Sequence, residues 1–287
     1  MAARPAVPDI FSLRYTRFDS PTRAVIPAKS GESHRIEEIW IDGPANKSYM
    51  DVVIGTSTVT RIPIAWGDSL YVAPYKGSIS DYSICQLLRD LYGPDTYFEA
   101  DQDEDITLVF SSAPGTVHVL YSVGKPGIDK TKLGRSRSEN RILFAMITHS
   151  RAINASGNYS LDTAIYPTGF PDVKDGYVMP SGRQIDLKAL SFGSVANAGT
   201  RPTYLHMWDE EFELYSPIDH KGISVELGKN LIVTDINTMD IFTTPAYSIL
   251  PGHKLTINMD AVYDGTNAVA ANSELLCLIG LWSVARR

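Results

Sequence analysis

The chain says nearly the same thing twice. "IPAKSGESHRIEEIWID" (26–42) and "VMPSGRQIDLKALSFGS" (178–194) each place a proline and a Ser-Gly pair ahead of a strand-like run. Setting Gly31 against Gly182 matches Ile36 with Leu187, Ile39 with Leu190 and Ile41 with Phe192 at one constant offset of 151. Each copy then leads through a turn-rich loop, "DGPANKS" or "GSVANAGTRP", to another apolar run, "YMDVVIG" or "TYLHMW". Further on, "DITLVFSSAPGTVHVLYSVG" corresponds to "KLTINMDAVYDGTNAVAANSELLCLIGLWS", at an offset of 149 for its first strand and with a longer turn in the second copy. Two correspondences in the same order at nearly one period indicate a duplicated β domain. Chance is the competing explanation, because turn residues flank apolar strands in every β protein.

The local patterns agree with a β duplication. "HRIEEIWID", "YMDVVIG", "STVTRIPIAW" and "SLYVAPY" are short, rich in Ile, Val, Tyr and Trp, and separated by Gly, Pro, Asn and Asp, which is how strands and their turns read. One stretch breaks the pattern. In "SISDYSICQLLRDLYGPD", Ser80 or Asp81 can cap a helix, Ile84, Leu87, Leu88 and Leu91 recur at helical spacing, and Gly93-Pro94 ends it. The expected fold is therefore all-β: jelly-roll or Greek-key β-sandwiches, two in tandem, with one short helix near 81–92. Residues 1–24, broken by Pro5, Pro8 and Pro21, are expected as an extended N-terminal arm. Residues 25–124 form the first sandwich, the polar and basic 125–145 a linker, and 146–287 the second sandwich.

Charge and composition narrow the partners. A net charge of −7 lacks the basic surplus of a general nucleic-acid binder, so no specific nucleic-acid partner is expected. No apolar run is long enough for a transmembrane helix, and "MAARPAVPDIFSLRYTRFDSPTRAV" has neither the apolar core nor the cleavage site of a secretory signal. Cys85 and Cys277 each sit inside an apolar segment and read as small buried hydrophobes rather than as a disulfide or metal pair.

No catalytic constellation stands out. The six histidines lack the spacing that puts two imidazoles on one metal. His206 precedes carboxylates at 209–211, but alternation along a strand would split them between faces. "DQDED" (101–105) resembles the start of a calcium loop, yet its sixth place is Ile106 and its twelfth is Ser112, where glycine and glutamate are needed. There is no nucleophile elbow and no phosphate-cradling loop. No enzyme, cofactor, metal site or small-molecule substrate is expected. Trp40, Trp66, Trp208 and Trp282 lie in strand-like runs and read as core, with a sugar-stacking platform as the functional alternative.

The duplicated pattern, the helix in "DYSICQLLRDLYG" and the final strand "SELLCLIGLWS" resemble the jelly-roll major capsid proteins of tailless icosahedral bacteriophages with an internal membrane. That resemblance implies a virion structural protein, made in the host cytoplasm without a signal peptide, whose sandwiches stand upright in the shell. Its partners would be itself, in trimers or other capsomers, other capsid proteins and the underlying viral membrane. The resemblance also makes Arg4, Arg14, Arg17 and Arg23 interaction residues, contacting anionic lipid or acidic neighbours. A phage tail or spike adhesin, or a carbohydrate-binding β-sandwich module, is the alternative function, working through loop aromatics such as Tyr75, Tyr159 or Tyr166.

Overall fold

The computed structural model describes residues 10–66, 84–125, 133–135, 139–193, 199–213 and 247–285. In chain order the first half contains β1 (Ile10–Asp19), β2 (Arg23–Ile26), β3 (Ser33–Asp42), β4 (Ser48–Ile54), β5 (Ser57–Ala65), α1 (Ile84–Tyr92), β6 (Phe98–Ala100), β7 (Ile106–Phe110) and β8 (Thr116–Lys125). The second half contains β9 (Arg141–Thr148), β10 (Gly157–Ser160), β11 (Thr163–Ile165), β12 (Tyr177–Val178), β13 (Arg183–Gly193), β14 (Arg201–Asp209), β15 (Phe212–Glu213), β16 (Tyr247–Ile249), β17 (Lys254–Val262) and β18 (Leu275–Val284). The all-β expectation is met, with α1 as the single helix among the described residues.

The strands form four antiparallel sheets. In the first half β1-β8-β3-β6 packs over β2-β7-β4-β5, and in the second β11-β9-β18-β13-β16 packs over β10-β17-β14-β15, with β12 also on β17. Leaving out the inserted β11 and β12 and counting strands from the start of each half, both halves share one order: first, eighth, third, sixth over second, seventh, fourth, fifth. Finer geometry repeats as well. The β3–β8 ladder slips between Ile36 and Glu38, and the β13–β18 ladder slips between Leu187 and Ala189, which are the same positions at the sequence offset of 151. Just ahead of these strands Gly31 and Gly182 adopt φ of 76° and 77°, a left-handed backbone that glycine enters without a Cβ penalty. A shared strand order, bulge and turn are more than recurring turn residues would produce.

Burial explains which strands read clearly. Alternate residues of β4 and β17 are buried, because one face meets the core and the other does not. By contrast β9 and β18 are buried at almost every position. Ile142, Phe144, Met146, Leu275, Cys277 and Ile279 join the first core, while Leu143, Ala145, Ile147, Leu276, Leu278 and Trp282 join the second. One sheet therefore serves both halves. Against it lies β5, where Thr60 Oγ1 donates to the Ile142 carbonyl at 3.0 Å. Trp66 Nε1 donates to the Ser273 carbonyl at 3.0 Å, and the Tyr92 hydroxyl at the end of α1 donates to the Gly280 carbonyl.

The helix has a clear reason for its place. Strand β6 pairs with β3 only from His34 to Ile36, and α1 packs against β3. There Arg89 donates to the Glu37 carbonyl at 2.9 Å and ion-pairs with Glu38. Ile84, Cys85, Leu87, Leu88 and Leu91 are buried in the first core. The expected capping residues Ser80 and Asp81 lie outside the described residues.

Two expectations need correction. The arm expected over 1–24 is, from Ile10 to Asp19, a full strand paired with β8, and β2 begins at Arg23. The ladder's backbone bonds hold β1, and none of its side chains from Ser12 to Asp19 is fully buried, so no core-facing stripe marks it. The linker expected over 125–145 is not free at 133–135 and ends before β9 opens at Arg141. Gly134 bridges Phe98, and Arg135 ion-pairs with the fully buried Glu99, so a stretch that reads as polar spacer instead neutralises a buried charge.

Candidate interaction surfaces

The arginines singled out from the sequence do not form one patch. Arg4 lies outside the described residues. Arg14 and Arg17 point to opposite faces of β1, paired with Tyr121 and His118 of β8. Arg17 is also neutralised locally, since its guanidinium lies 2.7 Å from Asp19. Arg23 is on β2, at the edge of the other sheet. Each edge strand exposes apolar side chains of its own: Leu13 and Tyr15 on β1 are 65% and 59% exposed, and Val25 on β2 is 39% exposed. The segment "FSLRYTRF" carries that signal in its alternating Leu and Tyr, which the neighbouring arginines and prolines mask.

A second surface is the outer face of β14. Tyr204, His206 and Trp208 form a ladder, with the His206 and Trp208 rings stacked at 5.4 Å. His206 Nε2 lies 3.1 Å from Asp260 Oδ2, and Asn158 Nδ2 donates to Asp260 Oδ1 at 3.1 Å and to Asn258 Oδ1 at 2.8 Å. Burial alone would raise the Asp260 pKa, but the hydrogen bonds from Asn158 and His206 hold its carboxyl below the usual range. The nearby Asp209 turns away from this face to meet His253 Nδ1 at 3.0 Å. Among the described residues no three His, Cys, Asp or Glu side chains converge as a metal site would require. The acidic turn at 101–105 is likewise committed to structure, because Asp105 Oδ1 accepts the Ala28 amide and Asp101 lies 3.6 Å from Arg135.

A third feature is a groove of about 570 Å³ bordered by Phe170, Asp172, Lys174, Tyr177, Val178 and Trp282. It lies between the β12 region and the end of β18. Arg183 covers the Trp282 ring at 5.8 Å, and Arg141 stands over Phe170 at 5.1 Å. Burial, helped by Asp172, pushes the Tyr177 hydroxyl up to about 12, so it stays a neutral donor. The insertion that shapes this groove carries the short strands β11 and β12.

The remaining candidates divide between core and surface. Tyr159 is buried with its hydroxyl on the Ala155 carbonyl at 2.7 Å, Tyr166 is 46% exposed, and Tyr75 lies outside the described residues. Trp66 and Trp282 are buried, and Trp40 and Trp208 half-buried. Both cysteines are buried free thiols whose pKa values burial raises. Comparison with protein-family models, with curated proteins and with solved structures returns no match.

Proposed function

We propose that the protein is a capsid subunit that self-assembles into an icosahedral virion shell, with each half a jelly roll. The observation that supports this reading is the strand order that occurs twice, eight strands in two facing sheets in each half, which matches the strand and sheet count of a jelly roll. The shared β9–β18 layer supports it further. A shell subunit must transmit lateral load without its halves hinging, and a sheet buried on both faces joins them more stiffly than a linker would. Its partners are copies of itself, in trimers or other capsomers, with other capsid proteins and the viral membrane beneath.

Electron microscopy of the purified chain tests the proposal. The expected result is capsomers, sheets or closed shells that grow with concentration. A protein that stays monomeric at high concentration and under varied salt and pH would overturn it. The aromatic-bordered groove favours one second reading, a carbohydrate-binding module of an adhesin. Binding on a glycan array that is lost in Tyr177→Ala would select that reading.

A further inference from the structure

Sheet edges carry unpaired backbone groups, and β proteins either protect them or use them. Among the described residues the four sheets end in β1, β6, β2, β5, β11, β16, β10 and β15. Six of these edges are strands of two to four residues, too short to template another chain. The long edge β5 lies against β9 of the second half. Only β1 fits neither description. It runs ten residues and stays in register with β8 from Ile10↔Lys125 to Asp19↔Thr116 without a slip, and among the described residues no strand lies on its other side. It contains no proline. Leu13 and Tyr15 are the two most exposed large hydrophobics among the described residues, and both stand on one face of this strand.

We propose that β1 pairs with β1 of a second copy, antiparallel about a twofold axis at Tyr15, so that two four-stranded sheets become one sheet across the subunit boundary. A twofold contact presents the same edge from both copies and so needs no second surface. The charges select the register. An axis at Arg14 or at Arg17 sets an arginine opposite itself, which is destabilising. An axis at Tyr15 opposes Tyr15 to Tyr15, Leu13 to Arg17 and Arg14 to Thr16, and it overlaps more of the strand than an axis at Thr16. The contact is small for a permanent dimer, which suits a lattice held by many weak contacts. The inference goes beyond the capsid reading and is separable from it.

Cross-linking of the full chain tests the register. In Tyr15→Cys the two introduced thiols face each other across the axis, within disulfide reach. In Arg17→Cys they stand about 13 Å apart, four residues at about 3.3 Å each, and cannot join. The native cysteines are buried and stay silent in the folded protein. Under mild oxidation Tyr15→Cys is expected to give at least tenfold more covalent dimer than Arg17→Cys. Sedimentation should show concentration-dependent dimers that Leu13→Glu with Tyr15→Glu abolishes, while the circular dichroism stays unchanged. Equal cross-linking at both positions, no cross-linking at either, or dimers that survive the double glutamate variant would overturn the proposal. Shells that still form from the double variant would sink this contact and leave the capsid reading standing. Dimers that never grow larger would do the reverse.

Discussion

β1 and β9 are the first strands of their halves and occupy the same place in the same strand order, yet their surroundings are opposite. β1 is an edge with exposed residues on both faces, whereas β9 is flanked by β11 and β18 and buried on both faces. Topology alone does not set a strand's environment. What packs on the outer face does, and in this chain the second half's sheet is covered by β5 and α1 while the first half's β1 is left open. The stability of the molecule should therefore be concentrated in the shared layer and almost absent from β1.

The largest effect should come from truncating that layer. Leu278→Ala or Ile279→Ala removes a fully buried side chain, one from each core, and is expected to cost about 2–5 kcal/mol. The loss should appear as a drop in one shared denaturation midpoint. Separate transitions for the two halves would break the comparison. Gly280→Ala belongs with these, because its new Cβ would sit 2.6 Å from the Asp186 carbonyl oxygen. The expected loss is about 1–3 kcal/mol.

Next come the paired turns. Gly31→Ala and Gly182→Ala meet no atom within 4 Å, so only the positive φ opposes them, at about 1–2 kcal/mol each. Near-equal losses measured by urea denaturation would sharpen the equivalence of the halves.

Acid should weaken both halves by the same route. Burial is the first cause that lowers the pKa of His34, in β3, and of His149, just after β9. The unfolded chain binds these protons near the ordinary histidine value of 6.5 and the folded chain only at lower pH. Their contribution is therefore complete above 6.5 and is lost as pH falls from there toward the folded values. The Tm should drop between pH 7.5 and 5, and His34→Gln with His149→Gln should flatten that drop. The smallest effect is Leu13→Ala on β1, expected within about 0.5 kcal/mol and checked by the same denaturation series.

How much of this was legible in the sequence follows from the same contrast. The repeat exposed β3 and β13 through their matched apolar positions, and helical spacing exposed α1. "RILFAMITHSRAI" shows no apolar-polar alternation over β9, because that strand is buried on both faces and has no solvent face to supply polar alternates. β1 was hidden for the opposite reason: its ladder is made of backbone bonds, and its side chains carry a terminus-like mixture of Arg, Ser and Thr. Of the candidate surfaces, His206 was visible, but its partner Asp260 stands on another strand 54 residues on. The groove depends on how residues 161–182 fold back on the sandwich, which no local pattern encodes.

Native-state hydrogen exchange tests the shared layer most directly. The account predicts that amides of β9 and β18 exchange only through global unfolding, with the same free energy as β4 and β7 of the first half, while β1 amides open at far lower cost. Second-half strands that exchange with a free energy of their own, independent of the first half, would contradict it.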